Sequence, residues 1–447
     1  MKRVLPLLLL GGCSAAEQAH EKPNFVILFV DDLGWADLGY QNPMFDSPNI
    51  NQLKEEGLYL SRAYVSTATS SPSRASLLTG KEALRCGFVR HIYGDAYSAE
   101  GVAEFETFDK DPGKMKSRAW LPLEEITYAE RLKENGYYTF FAGKWHLGPV
   151  EYFPDKQGFD EVWGTNQHGH PKNYYYPFFS DNNPFPDSKD GDYLTDLVTD
   201  GIEKFILEYD KDQPFLINTW YYTVHGPCRG KKELLAKYKK RGFEGKQIDC
   251  AAMVEVLDNS VGRIRAALKT KGLDKNTVII FTSDQGGQFV NGPLSGGKQG
   301  GRTLCEGGSR IPMIIYAPGM KGIGTTWDQP VQTLDIFPTL VEMASGKPCK
   351  DKQINGVSLT PLMNGQPMEN RDLFMHRSYE DQNSCIMNGD WKLIKYRSGH
   401  LELYNIKEDI GEQNNLVDVE KERTQKMLKR LNEWQEEATP KYLLPEA

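Results

Sequence analysis

The sequence predicts an α/β protein: a large, mixed but mostly parallel sheet sandwiched by helices, with a small antiparallel α+β appendage at the C-terminus. Three observations carry this. Residues 25–30, 138–142, 215–220, 278–282 and 313–317 are short apolar runs, each bounded by Gly, Asp or helical sequence. Runs of this length without polar alternation fit strands buried on both faces. Amphipathic stretches stand between them, and alternating strand and helix is the pattern of a doubly wound sheet. After about residue 365 the texture changes to turns and alternation.

The helices are predicted over 128–135, 194–207 and 251–268; in the last, Val254, Leu257, Val261, Ile264 and Leu268 recur at helical spacing. In the C-terminal part, Asn388-Gly389-Asp390 signals a turn before the alternating segment Trp391 to Tyr396. Ser398-Gly399-His400 signals a second turn before Leu401 to Tyr404, so an antiparallel hairpin is predicted. A charged amphipathic helix follows over 417–437. The expected division is a signal and tether over 1–20, an α/β domain over 21–365 and an α+β subdomain over 366–447. Residues 169–192, rich in Tyr, Pro, Asn and Asp, read as a loop rimming a site.

Size and charge narrow the class. A chain of 447 residues exceeds one small core. The formal net charge of −8 argues against nucleic acid, because phosphate binding needs a basic face. Lys2 and Arg3 precede an apolar run over 4–10, too short to span a bilayer at about 20 residues. Leu10-Gly11-Gly12-Cys13 resembles a lipobox, so Cys13 is expected to be lipidated and the membrane to be met only through that anchor. The expected location is the periplasm or cell surface of a Gram-negative bacterium. Six further cysteines (Cys86, Cys228, Cys250, Cys305, Cys349, Cys385) allow up to three bridges.

Two of the apolar runs end in acids. The first leads into Asp31-Asp32 and the fourth into Ser283-Asp284-Gln285-Gly286-Gly287. Ligands of open α/β sheets gather at the carboxyl ends of strands. Two like charges at roughly 4 Å repel by about 4 kcal/mol at an effective dielectric of 20. Three converging carboxylates therefore call for a cation, and all-oxygen ligands favour calcium or magnesium over zinc. Gln285 can add an amide oxygen. Asp37 reads as a turn residue.

Residues 70–81 are Ser-Ser-Pro-Ser-Arg-Ala-Ser-Leu-Leu-Thr-Gly-Lys, a serine-rich entry into a helix. Alone this is a polar cap, with Arg74 and the helix N-terminus suited to an anion. Ser70, Pro72, Ser73, Arg74, Thr79 and Gly80, however, closely resemble the signature of the sulfatase family. Asp31-Asp32-Leu33-Gly34 and Ser283-Asp284-Gln285-Gly286 resemble its two metal motifs. Gly143-Lys144-Trp145-His146 and Val224-His225-Gly226-Pro227 resemble its histidine motifs, and Glu306-Gly307-Gly308-Ser309-Arg310 its glycine-rich segment. Order and rough spacing agree over about 22–345.

The resemblance implies an alkaline phosphatase-like fold and hydrolysis of sulfate esters on a sulfated saccharide, in exo fashion. It implies that a separate, anaerobic serine-type maturation enzyme oxidises Ser70 to formylglycine. The hydrated aldehyde attacks sulfur, and its second hydroxyl then expels sulfate. Asp31, Asp32, Asp284, Gln285 and modified Ser70 would hold one Ca2+. Arg74 would stabilise the nucleophile, Lys144 would clamp sulfate, His146 would assist deprotonation and His225 would protonate the leaving alcohol.

The pattern departs in three places. Serine stands where the family often has cysteine, and Gln285 where it more often has Asn or His. The lysine after the second metal motif is either Lys298, eight residues before Glu306, or is replaced by Arg302, four before it; Gly296-Gly297-Lys298 preserves the local pattern. His168 and His170 are either pocket residues or loop histidines. Trp163 and Tyr174 to Tyr176 either stack on a sugar or pack the loop. Lys392 and Arg397 are expected to face solvent. The rival readings are a phosphodiesterase or phosphonate monoester hydrolase of the same superfamily, and a non-catalytic glycan-binding lipoprotein.

Overall fold

An eight-stranded sheet forms the centre of the computed structural model, which describes residues 22–109, 111–289, 291–378 and 381–445. The signal segment and Cys13 lie outside the described residues. In chain order the strands are β1 (Asn24–Val30), β2 (Leu58–Leu60), β3 (Tyr138–Gly143), β4 (Glu161–Trp163), β5 (Phe215–Trp220), β6 (Thr277–Ser283), β7 (Met313–Tyr316) and β8 (Thr325–Trp327). Their spatial order is β8-β2-β7-β6-β1-β5-β3-β4. The five strands from β6 to β4 are mutually parallel. β7, read from sequence as one more buried strand, runs antiparallel to both β6 and β2.

β1 shows why its run is apolar throughout. Successive side chains of a strand point to opposite faces. Val26, Leu28 and Val30 enter one core, and Phe25, Ile27 and Phe29 the other. Helices α1 (Pro48–Glu56), α2 (Ser70–Thr79), α3 (Tyr128–Glu134), α4 (Leu194–Glu208) and α5 (Lys246–Thr270) follow in chain order, and α4 and α5 close the first core. The second is closed by α2, α3 and α6 (Ile336–Ser345). Helix α3 starts at a capping box in which Thr127 accepts from the Glu130 amide and Glu130 accepts from the Thr127 amide. Among the described residues no helix is long and apolar enough to cross a membrane.

A second sheet follows: β9 (Asp372–His376), β10 (Gln382–Asn388), β11 (Trp391–Tyr396) and β12 (Leu401–Asn405), antiparallel throughout. The hairpin β11–β12 was legible, whereas β9 and β10 were not. Phe374, Ile386, Leu393 and Leu403 face α7 (Lys421–Ala438), where Phe374 stacks on Trp434 at 4.7 Å. The opposite face, with Met375, Cys385 and Ile394, packs on Tyr64, Leu304 and Cys305 of the α/β part.

That second contact corrects the expectation for Lys392. It is not solvent-facing but fully buried, with Nζ 2.9 Å from Glu306 Oε1 and 3.1 Å from Glu412 Oε1. Arg397 is exposed, and its Nη2 donates to the Ser378 carbonyl at 2.9 Å. Among the described residues the disulfide Cys228–Cys250 ties the segment after His225 to α5, while Cys86, Cys305, Cys349 and Cys385 are not in disulfides.

Candidate active site

Strand register assembles the site. Val30 pairs with Ser283, so Asp31 and Asp284 leave β1 and β6 side by side. The Asp284 amide donates to the Val30 carbonyl, and the Asp32 amide to Asp284 Oδ1 at 3.0 Å. Gly143 pairs with Trp220, so Lys144 leaves β3 at the same edge, where its amide donates to the Trp220 carbonyl. Gly143 has φ +99°, and a Cβ there would lie 2.1 Å from the Trp220 carbonyl oxygen; only glycine brings the lysine in this close. Gly286 is pressed against the glycine-rich segment in the same way, its Cβ position being 1.9 Å from the Gly307 carbonyl oxygen. Asp32 and His146, neither of them glycine, sit at φ 60° and 55°. Such left-handed residues cluster at functional sites.

Ser70 is the first residue of α2, so its hydroxyl stands at the positive end of the helix. Its Oγ donates to Asp31 Oδ1 at 3.1 Å, and Gln285 Nε2 lies 3.3 Å from it. Asp31, Asp32 and Asp284 are fully buried, with ligand oxygens all within 4.8 Å of one another. Cations meet them from around. Lys144 Nζ is 2.6 Å from Asp31 Oδ2. Arg74 Nη2 is 3.4 Å from both Asp31 and Asp284. Lys298 pairs with Asp32, which also accepts from Gln285 Nε2 at 2.7 Å and Gln288 Nε2 at 2.6 Å. Arg74 lies wholly buried beneath the site, its guanidinium over the rings of Trp220 and Phe29 at 5.0 and 5.3 Å.

The donor set fits a hard divalent cation. Its carboxylates and the Ser70 hydroxyl offer oxygens, it is buried, and its carboxylates cannot all ionise cheaply; Gln285 turns Nε2 toward Asp32 and Ser70, so its amide would present oxygen to an ion only after rotating. Burial and the neighbouring Asp31 push Asp284 up to about 8. Burial also works against Asp31, but Lys144, His225 and Arg74 hold its carboxyl well below the usual range. Asp31, Asp32, Asp284, the Gln285 amide and the residue-70 oxygen would hold the ion, which would supply Lewis-acid polarisation.

Above this floor opens a cleft of about 390 Å³ whose lining includes Ser70, Lys144, His146, His225 and Lys298. His225 Nδ1 lies 2.6 Å from the Gly226 carbonyl oxygen. A carbonyl only accepts, so Nδ1 carries hydrogen and Nε2, 3.7 Å from Asp32 Oδ2, is the atom that exchanges a proton. Burial, then Lys298 and Lys144, depress His225 to about 4 against the opposing pull of Asp32. Burial and Lys144 hold His146 well below the ordinary histidine value.

The remaining sequence-predicted residues divide. Lys298 lines the cleft; Arg302 does not, and its Nη1 pairs with Glu402 at 3.2 Å. The residues between them include Gly300 and Gly301, both at positive φ with open space around them, so the extra length is a projecting loop. His170 lines the cleft and stacks on His225 at 5.4 Å, 8° from parallel. His168 does not line it: Asp95 at 3.0 Å and Asp181 at 2.6 Å grip its ring, and Phe179 covers it. Trp163 is also elsewhere, donating to the Leu197 carbonyl and packed so closely on α4 that Gly201 leaves no room for a Cβ. Tyr174 is buried, donating to the Tyr222 and His225 carbonyls, Tyr175 packs edge-on to Tyr193, and Tyr176 packs edge-on to Phe178. Sequence reasoning missed His91, Tyr93, Asp95, Gln299 and Arg377 in the lining. They come from loops with no motif, and no local signal marks them.

Known proteins resemble this chain over most of its length. The Sulfatase family model matches residues 23–346, and the model for the N-sulphoglucosamine sulphohydrolase C-terminal region matches 299–438. The chain is 31% identical over 401 residues to the N-acetylgalactosamine-6-sulfatase of Rattus norvegicus, covering 84% of this chain and 72% of that protein. It is 29% identical over 491 residues to a sulfatase of Formosa agariphila, covering 92% and 87%. Among solved structures, Ps i-CgsB in complex with k-i-k-neocarrahexaose superposes with a TM-score of 0.80 at 28% identity, covering 95% of each chain. The chain thus belongs to the sulfatase family and is a sulfuric ester hydrolase.

Proposed function

We propose that the protein removes sulfate from a sulfated saccharide, in exo fashion, using a formylglycine made from Ser70 and one calcium ion. The observation that carries this is the convergence of Ser70, a buried three-carboxylate cluster, Lys144, Lys298, His146 and His225 on one cleft. The saccharide is supported by relatives whose names specify N-acetylgalactosamine 6-sulfate or that bind a carrageenan oligosaccharide.

Formylglycine supplies a hydrated aldehyde as nucleophile and calcium a Lewis acid. The chain's own residues do the rest. Lys144 and Lys298 hold sulfate oxygens against their repulsion by Asp31 and Asp32. Arg74 offsets charge beneath residue 70. His146 takes a proton at residue 70, and His225 Nε2 serves the leaving alcohol oxygen as an acid only once bound sulfate offsets Lys144 and Lys298 and favours the imidazolium. His170, stacked on His225, keeps that ring in place.

The same reading extends to processing and location. A serine-type maturation enzyme acts on Ser70, and Cys13 carries a lipid that tethers the protein in the periplasm or at the surface of a Gram-negative cell. The segment Lys2 to Cys13 supports the tether, and the Cys228–Cys250 disulfide supports an oxidising compartment. The test is coexpression with a serine-type maturation enzyme, mass spectrometry of the Ser70 peptide and sulfate release from a panel of sulfated mono- and disaccharides. The peptide should lose two hydrogens, and chelation should abolish turnover. A matured, calcium-loaded protein that binds these sugars without releasing sulfate, or that cleaves phosphodiesters instead, overturns the proposal.

A further inference from the structure

Beside the cleft lies a smaller pocket of about 110 Å³. The two adjoin, for Ile92, Tyr93, Gly94 and His146 line both. Their chemistry differs. Lys144 and Lys298 line the cleft. The small pocket is walled largely by Ile92, Ala96, Val102, Ala119 and Pro149, and among the described residues no lysine or arginine lines it. Its carboxylate, Glu106, is turned to Arg90 Nη2 at 3.5 Å. A sulfate or carboxylate entering here would face an acid and an apolar wall, so the occupant is a neutral group.

Three observations narrow that group. Tyr93 stands on the partition between the two cavities and is 57% exposed, although Phe108 packs 5.0 Å from its ring centre and the Arg90 guanidinium lies 5.9 Å away. So bare a ring beside an apolar wall suits an apolar ligand group. Gln167 also lines the pocket and is 5% exposed. One end of its side-chain amide lies 3.2 Å from His168 Nε2; the other is buried with no hydrogen-bond partner among the described residues. A buried amide end without a partner is costly, and a group carrying both N–H and C=O satisfies it whichever way the amide is turned. Size is the third. A water molecule takes about 30 Å³ of the liquid, so the pocket has room for about four atoms of that size. An acetamido group is four such atoms: an N–H, a carbonyl and a methyl.

We propose that this pocket receives the acetamido group of a sulfated N-acetylhexosamine and separates such a sugar from one with a hydroxyl on the same carbon. The apolar wall and Tyr93 take the methyl, and Gln167 meets the amide. His146 lines both cavities and acts at residue 70 in the reading above, so the acetamido group belongs to the sugar that bears the sulfate being removed. The inference rests on that reading and deepens it. A hydroxyl would leave the apolar wall against water. An ammonium would approach Glu106 but strand the same wall, and a bare methyl would leave Gln167 unpaired.

The test compares matched sulfated sugars that carry acetamido, hydroxyl or ammonium at carbon 2, in the galacto and gluco series, each as its 3-, 4- and 6-sulfate. Dissociation constants are measured by calorimetry on the calcium-loaded, unmatured Ser70 protein, and kcat/KM on the matured one. The comparison is read in the series and sulfate position that the wild type binds most tightly. There the acetamido sugar should bind about 10- to 100-fold tighter than the hydroxyl sugar. V102F, which fills the pocket, should erase that ratio. A119V, which narrows it from another segment, and Q167L, which removes the amide, should each lower it. No preference for the acetamido sugar overturns the proposal, as does a preference that survives both V102F and A119V. Tightest binding of the ammonium sugar overturns it in favour of Glu106. Equal loss for all sugars in the variants also overturns it, because the pocket would then only support the fold. If the ratio holds in binding but matured protein releases no sulfate, the hydrolase reading fails and the pocket stands. If sulfate is released equally well from acetamido and hydroxyl sugars, the pocket fails and the hydrolase reading stands.

Discussion

Replacing Lys392 by methionine should destabilise the protein by several kcal/mol at pH 7 and far less at pH 5. Lys392 reaches from β11 into a fully buried pocket between Glu306 and Glu412. Burial opposes its charge, but the two carboxylates hold its pKa well above the usual lysine value. Glu306 keeps other partners without it, Arg310 at 3.2 Å and the Tyr64 hydroxyl at 2.9 Å. Among the described residues Glu412 keeps the Glu306 amide at 2.8 Å and the Ser295 hydroxyl, and burial and Glu306 already push its pKa up. In the methionine variant Glu412 takes up a proton rather than stay charged beside Glu306. Holding a glutamate of ordinary pKa ~4.3 protonated costs about 1.4 kcal/mol per pH unit above that value. The penalty is thus about 3.7 kcal/mol at pH 7 and about 1 kcal/mol at pH 5. The sign follows from linkage: above pH ~4.3 the unfolded variant binds fewer protons than the folded one, so its stability falls as pH rises. The pH 7 figure lies in the range of about 3–5 kcal/mol for breaking a buried ion pair from one side. Urea unfolding followed by tryptophan fluorescence at both pH values measures it, with E412Q/K392M as the partner variant that should recover most of the loss. A loss under ~1 kcal/mol at pH 7, or one equal at both pH values, would refute the reasoning.

Four further outcomes follow from the site. K298A should lower kcat/KM by about 100-fold or more, as loss of a charge-stabilising group does, while R302A, whose guanidinium pairs with Glu402 outside the cleft, should change it little; steady-state kinetics on the preferred sulfated sugar separates them. G286A places a methyl 1.9 Å from the Gly307 carbonyl oxygen, so calorimetric calcium titration should show weakened binding, with about 1–3 kcal/mol of stability lost to overpacking. C228S/C250S opens a loop of sequence separation 22 and should cost about 3 kcal/mol by loop entropy, read as a shift in urea midpoint that reductant reproduces in the wild type. His168 has its pKa raised by Asp95 first and Asp181 next, against burial; its stabilisation is complete below the unfolded value of ~6.5 and fades as pH rises through the raised folded value. Both acids are half-exposed, so H168A should cost under about 1 kcal/mol at pH 5.5 and less at pH 8.5 by thermal unfolding.

The legible parts of the site share a physical cause. Asp31, Lys144, His225 and Asp284 all follow apolar runs, and the carboxyl ends of a parallel sheet bring such residues together whatever lies between them. Lys392 was misread for an equally definite reason. Alternation along β11 correctly places Leu393 toward α7 and Lys392 on the opposite side. In a lone hairpin that opposite side meets water. Here it meets Tyr64, Leu304 and Cys305, because β9 and β10 widen the sheet until both of its faces are covered. The segment Gln382–Asn388 carries too few apolar residues to announce a strand; it pairs with β9 on one side and β11 on the other. Trp163 misled because an aromatic near a site reads alike whether it stacks on a sugar or on a helix; Gly201 on α4 decides for the helix.

The two sheets bear on the site in different ways. The Lys392 pocket includes Glu306, which opens the glycine-rich segment, and that segment presses on Gly286 beside the Asp284 carboxylate. One buried lysine of the C-terminal sheet therefore supports the floor on which the ion would sit. Arg377, from the same sheet, reaches the wall of the cleft instead. The separation has a measurable consequence. Floor damage alters the common step, so K392M should lower calcium affinity and slow all substrates together. If K392M left calcium affinity untouched, the chain of contacts from Lys392 through Glu306 and the glycine-rich segment to Gly286 would be packing without functional consequence.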